Sequence, residues 1–431
     1  MSTAASPISN SSLYRLPWSL PDNGISWLEP TAACNLSCDG CYRPNDRDSH
    51  KSMEEIGKEL DVFQRQRKSD CISIAGGDPL MYPEIVPLVR EVGRRGFKPI
   101  INTNGRNLTP ELLHELKLAG VFGFTLHVDS RQGRPGEWKG KNELELNALR
   151  LQYARMIAAE GGISCSFNAT VYEDTLQYVP ELLAWAHEHI DIVHTMVFIA
   201  FRHVVPQMPF DWYAGAKQVE WQQIGYHSET ARKVDIRSTD LLDIIRQRFP
   251  DFTPAAFLNG TEQADSYKWL LTVRAGSKER IYGYLGPKFV ETSMAFYHLA
   301  KDRYLSYVSP SISRLGKSSI ALFAPFDRAC RKAFGSYLKA VARNPLRLFE
   351  RVNLQSVMFI QPVDFQPDGR QSMCDSCPDI TVHDGQLVWS CRMEELKAYG
   401  TFLRTVPAKE KATLQTVQTV QTVQTVQPVQ A

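Results

Sequence analysis

From about residue 26 to residue 200, short apolar runs alternate with longer amphipathic ones. The short runs are ISWLEPT, CISIAG (71–76), KPIINT (98–103), VFGFTLHV (121–128), ISCSFNATV (163–171) and DIVHTMVFI (191–199). Each is rich in β-branched or aromatic residues and reads as a strand. Between them lie SMEEIGKELDVFQRQ, PEIVPLVREVGRRG, TPELLHELKLAG, KNELELNALRLQYARMIAAEGG and DTLQYVPELLAWAHEH, several with apolar residues at helical spacing. TPELLHELKLAG carries a capping Thr109, proline in the first turn and Gly120 past the end. Six strand–helix units in a row predict a parallel sheet with helices outside, either doubly wound or a barrel.

Alternation within the strands favours the barrel. Thr125, His127 and Asp129 share one face, opposite Phe124, Leu126 and Val128; Ser166, Asn168 and Thr170 oppose Cys165, Phe167 and Ala169; Asn102 and Asn104 share a face. Doubly wound parallel strands are usually apolar on both faces. A polar face repeated over several strands points to a barrel interior that holds a polar ligand. The competing reading is a set of buried polar residues bonded to one another.

Around this core (26–200) the chain divides further. Residues 1–25 are polar and read as an irregular lead, with LPWSLP as a clasp. Residues 201–355 lose the alternation, are rich in aromatics, and read as a mainly helical substrate lid. Residues 356–404 read as short strands with three cysteines. Residues 405–431, ending in a three-residue repeat, read as a disordered low-complexity tail.

Composition adds exclusions. The chain has 431 residues, 43% hydrophobic, and a net charge of +2, so no global field argues for nucleic acid. No apolar run is long enough to span a bilayer, and the N-terminus has no apolar signal core. A cytoplasmic location is expected, where nine cysteines read as metal ligands, catalytic thiols or core residues rather than disulfides.

The chemistry concentrates in CNLSCDGCYR, where Cys34, Cys38 and Cys41 follow the first strand with C-x3-C-x2-C spacing. A structural zinc site would pair C-x2-C with a second pair. Three thiolates in one loop can instead hold three irons of a cubane and leave the fourth open. The loop sits where barrels place their chemistry, at the C-terminal ends of strands.

This loop, placed after the first strand of six strand–helix units, resembles the signature of radical S-adenosylmethionine (SAM) enzymes. The resemblance covers roughly residues 26–200 and implies a partial (β/α)6 barrel of the TIM type. It implies a [4Fe–4S] cluster on Cys34, Cys38 and Cys41, SAM on the open iron, a reducing electron donor, and a 5′-deoxyadenosyl radical that takes hydrogen from a substrate. In the family a Gly-Gly-Glu stretch after the second strand holds the SAM amino group; here Gly76, Gly77 and Asp78 stand there. The residue before the last cysteine is often aromatic in the family and is Gly40 here. By strand position, Asn102, Thr125 and Asn168 are the further SAM contacts. His127 and Asp129 are the catalytic candidates, with His127 a proton donor, a substrate contact or a core histidine.

A second set, Cys374, Cys377 and Cys391, sits in MCDSCPDITVHDGQLVWSCR. A hairpin turning at HDG brings the third thiol back over the first pair. It resembles the auxiliary-cluster (twitch/SPASM-like) extensions of radical SAM enzymes, with Cys330 the candidate fourth ligand and zinc the competing metal. Cys71 and Cys165 read as core. Arg131, Arg134, Trp138, Lys139 and Lys141, in a long polar loop, read as an anion site or a solvated loop. For substrate, the aromatics of 201–355 and the basic amphipathic stretch after residue 320 suggest a lipid-like molecule with peripheral membrane contact. A modified peptide is the alternative, and a non-catalytic iron–sulfur or zinc redox or scaffold protein is the reading from another class.

Overall fold

The computed structural model describes residues 8–408. Its centre is the expected strand–helix repeat: β1 (Ile25–Thr31), α1 (Met53–Gln66), β2 (Cys71–Gly76), α2 (Ile85–Arg94), β3 (Lys98–Thr103), α3 (Pro110–Leu118), β4 (Gly123–His127), α4 (Asn147–Glu160), β5 (Ser164–Val171), α5 (Val179–Glu188) and β6 (Thr195–Ala200). All six strands run parallel in sequence order. Local signals set the helix starts. Ser52 and Glu55 form a capping box on α1, and the Thr109 side chain accepts from Leu112 N at the start of α3. The strand faces that meet the helices are dry: Phe124, Leu126, Cys165 and Phe167 have no exposed surface, and neither has Cys71.

Beyond residue 200 the chain departs from the helical lid expected there. Helix α6 (Ser238–Arg248) is followed by β7 (Ala256–Asn259), β8 (Tyr267–Gly276) and β9 (Ile281–Leu285). Helices α7 (Pro287–Lys301), α8 (Pro310–Ser313), α9 (Gly316–Phe323) and α10 (Arg328–Arg343) come next, then β10 (Asn353–Ile360). Strand β10 pairs in parallel with β6, and β8 pairs antiparallel with β10, so the barrel sheet continues into an eleven-stranded one. Two aromatic stretches of the region read as a lid are strands: YKWLL opens β8, every residue of which is buried, and IYGYL is β9. Ten consecutive buried residues fit a strand covered on both faces, a pattern that does not alternate.

The N-terminal lead is partly ordered. Tyr14–Arg15 adds a short parallel strand to β7, and Trp18 packs edge-on against Trp269 at 6.3 Å between centroids. The C-terminal hairpin forms as expected from β11 (Ile380–His383) and β12 (Gln386–Trp389), turning through Asp384 and Gly385 with positive φ at both. It packs against β1 and is followed by α11 (Met393–Tyr399). Residues 404–407, partly assigned to the tail, pair instead with Phe210–Ala214 in a small sheet. The repetitive residues 409–431 lie outside the described residues.

Candidate active site

One cavity of about 520 Å³ opens at the C-terminal ends of the barrel strands, and both cysteine sets line it. Cys34, Cys38 and Cys41 reach it from the loop after β1; Cys374, Cys377 and Cys391 reach it from the residues around the C-terminal hairpin. All six are free thiols. Among the described residues, no three His, Cys, Asp or Glu side chains converge tightly enough for a single metal ion. A multi-iron cluster, in which each thiolate binds a different iron, does not require that convergence. Burial is the largest cause that pushes the Cys34, Cys38 and Cys41 thiols up, and the charge of Asp129 adds to it at Cys38.

The barrel side of the cavity is the polar face read from the alternation: Asn102, Thr125, His127, Asp129 and Asn168 all line it. His127 Nε2 lies 2.8 Å from Asp129 Oδ2 and 3.1 Å from Thr170 Oγ1. Burial alone would raise the Asp129 carboxyl. The His127 hydrogen bond and charge, with the N–H groups of Arg131 and Thr170, outweigh burial and hold it below the usual carboxylate range. Asn102 donates to Ser73, and Thr125 Oγ1 lies 3.3 Å from Tyr307 OH. The buried Oδ1 of Asn168 has no hydrogen-bond partner, and such an orphaned acceptor marks a place where a ligand donor fits.

The Gly-Gly-Asp stretch behaves differently from expectation. Gly76 has φ +106°, and a side chain on Gly77 would overlap the carbonyl oxygens of Ala32 and Ala33, so both glycines are needed where β2 crosses the chain leaving β1. They line the cavity, but Asp78 does not. Its carboxylate is turned into the fold, where it accepts from Thr103 Oγ1 (2.9 Å), Asn104 N (2.8 Å) and Leu80 N (2.9 Å). With its acceptor sites filled, it is a brace between β2 and β3 rather than a cofactor contact. One methylene less than Glu keeps the carboxylate against the backbone.

Cys330 is likewise not brought to the second set. It is fully buried in α10, its N–H donates to Asp327 Oδ1, and it does not line the cavity. The long polar loop is committed internally: buried Arg134 donates to the carbonyls of Asn104 and His127, and Arg131 pairs with Asp174.

The sequence reading missed three features. Tyr172 and Phe201, 4.8 Å apart at the ends of β5 and β6, pack against Gly40, where a Cβ would sit 2.8 Å from Tyr172 OH. An aromatic surface is thus supplied from two strand ends, with Gly40 leaving room for it, beside Tyr42 of the loop itself. Asp379, two residues after Cys377, also lines the cavity; burial pushes its carboxyl up to about 7 against the opposing charge of Arg67. Arg43 beside the loop is buried against Glu29 and donates to Ser390 O, tying the first cysteine loop to the hairpin that carries the second set. Only its place in the C-terminal motif could have pointed to Asp379.

Comparison with known proteins agrees with this layout. Residues 28–186 match the Radical SAM superfamily. A cofactor-modifying protein of tungsten-containing aldehyde ferredoxin oxidoreductase from Pyrococcus furiosus is 38% identical over 98 residues, 22% of this chain and 28% of that protein. An AdoMet-dependent heme synthase from Nitratidesulfovibrio vulgaris is 25% identical over 186 residues, 41% of this chain and 47% of the synthase. A PqqA peptide cyclase from Gluconobacter oxydans is 26% identical over 190 residues, 42% of this chain and 51% of the cyclase. The matched part therefore spans about half of these relatives' length or less. The family match covers residues 28–186, the part of the chain that holds the first cysteine set and most of the barrel.

Proposed function

We propose that this chain is a radical SAM enzyme that modifies a peptide held between two iron–sulfur clusters. The observation that carries the reading is that two three-cysteine sets, one near each end of the chain, face the same 520 Å³ cavity. When bound, a [4Fe–4S] cluster and SAM supply a 5′-deoxyadenosyl radical that takes hydrogen from a substrate. Cys34, Cys38 and Cys41 would hold that cluster, and Cys374, Cys377 and Cys391 a second one in a twitch/SPASM-like extension.

The remaining residues supply binding and orientation. The backbone at Gly76 and Gly77 offers carbonyl acceptors to an ammonium. Asn102, Thr125 and Asn168 offer short polar groups along one face. Tyr172 and Phe201 offer an aromatic surface on which a base can stack. The His127–Asp129 pair holds an imidazole over the cavity, fixed by a carboxylate that stays ionised, and can move a proton at Nε2 or Nδ1.

The peptide reading is favoured over the lipid-like one for two reasons. One of the relatives is a peptide cyclase. The apolar helices expected to form a lipid lid do not line the cavity; its lining skips residues 270–359 altogether. A non-catalytic scaffold would have no use for the glycine crossing or the polar barrel face. The test is anaerobic reconstitution followed by reduction with SAM. Formation of 5′-deoxyadenosine that rises with a candidate peptide supports the reading, and cleavage that responds only to lipids would overturn its substrate class.

A further inference from the structure

Helices α7–α10 and the turn Pro345–Leu348 after them lie outside the cavity, yet they hold most of the exposed apolar surface. Of thirteen large apolar side chains exposed among the described residues, ten fall between Phe296 and Phe349. They include Phe296 (71% exposed), Leu299 (87%), Leu322 (68%), Phe326 (76%), Leu346 (74%) and Phe349 (83%). These elements are neighbours: α9 and the 345–348 turn pack on α10, and Phe289 of α7 meets Phe323 of α9 edge-on at 5.0 Å. Concentration of this kind is what distinguishes a docking surface from scattered surface hydrophobics.

The charge of the same segment is one-sided. Residues 287–351 contain twelve Lys or Arg against four Asp or Glu, in a chain with 49 against 47 overall. The four acids are taken up within the protein. Glu291 pairs with Lys288, Asp302 with Lys68, Glu350 with Arg347, and Asp327 caps α10. Several cations are left without an acidic partner. Lys332, Lys339 and Arg343, on one face of α10, join Arg280 in lining a groove of about 440 Å³ that contains no acidic side chain. Leu338 is exposed on the same helix, and Leu346 and Phe349 follow its C-terminus.

We propose that this face docks the enzyme on an anionic lipid bilayer, with the α10 groove over phosphate headgroups and the Phe296–Phe349 side chains in the headgroup–acyl boundary. Apolar side chains next to a cation-lined groove that contains no acid match an anionic interface in both its parts. No helix among the described residues is long and apolar enough to cross a membrane, so the contact is peripheral. The cavity is open on a different set of elements, so docking leaves it free for a peptide.

The experiment is co-sedimentation of the full-length reconstituted protein with vesicles of phosphatidylcholine alone or of phosphatidylcholine with phosphatidylserine. The protein should sediment with the serine-containing vesicles at low salt, remain soluble with phosphatidylcholine alone, and be released at about 1 M salt. Lys332→Gln, Lys339→Gln and Arg343→Gln should each weaken binding by about fivefold. Leu346→Ser with Phe349→Ser keeps the charge and should also weaken it. All these side chains are outside the cavity, so the variants should keep the parent's melting temperature and SAM cleavage. No sedimentation with serine-containing vesicles at low salt would overturn the proposal. So would a dimer in solution that dissolves in the Leu346→Ser/Phe349→Ser variant. Either result leaves SAM cleavage, and with it the catalytic reading, separately measurable.

Discussion

Asp78 and Gly77 are adjacent, and the structure gives them different work. The sequence placed them together in one motif, because a Gly-Gly-acid stretch after a second strand is all that a one-dimensional reading can see. Whether the acid points into the cavity depends on one methylene and on three donors, Thr103, Asn104 and Leu80, that come from other parts of the chain. For Gly77 the constraint is steric: Gly77→Ala drives a methyl group into two backbone carbonyls. The variant should lose about 3 kcal/mol of stability, read as a lower midpoint of denaturant unfolding. A second residue-scale prediction concerns His194. Its ring is buried, Nδ1 accepts from Cys165 N at 2.9 Å, and burial, reinforced by the charge of Arg314, lowers its pKa to about 4. The unfolded chain therefore takes up the proton first as pH falls. The stability that neutral His194 contributes is complete above about pH 6.5 and is lost progressively towards pH 4, with a full range of about 3 kcal/mol. Unfolding midpoints measured from pH 7 to pH 5 should fall in the parent and fall less in His194→Gln.

At the scale of elements, the six strands and five helices of the barrel were legible from their alternating periods, with caps marking the starts of α1 and α3. Asn102, Thr125, His127 and Asn168 were legible as one surface for the same reason: parallel, in-order strands put equivalent positions side by side, and Asn102 pairs with Thr125 and His127 with Asn168. Strand β8 was not legible, because a strand buried on both faces has no alternation to read. The hairpin carrying Cys391 was legible from its Asp-Gly turn. A fourth ligand was not: Cys330, the candidate by residue type, is fully buried in α10 and does not reach the cavity that the other three line. The prediction follows from that placement. A Cys374→Ala/Cys377→Ala/Cys391→Ala protein should contain about four fewer irons than the parent and keep a cluster whose spectrum SAM perturbs. Cys330→Ala should keep its full iron content; a loss of iron there would return Cys330 to the ligand set.

Over the whole molecule, the barrel, the sheet extension and the C-terminal hairpin converge on one cavity, while the helices from α7 to α10 contribute nothing to its lining. The sequence marked those helices as apolar and basic but could not say which way they faced, and so they were read as a lid. The two proposals therefore engage different parts of the molecule, the cavity in one case and the helices from α7 to α10 in the other. The central claim is that Cys34, Cys38 and Cys41 support SAM cleavage at the mouth of this barrel. The most direct measurement is 5′-deoxyadenosine released when anaerobically reconstituted protein is reduced in the presence of SAM. The parent should form it, and Cys34→Ala, Cys38→Ala and Cys41→Ala should each form none while the second cluster's iron remains. Reconstituted parent protein that holds its iron and sulfide but releases no 5′-deoxyadenosine, or single variants that release it at the parent's rate, would contradict the account.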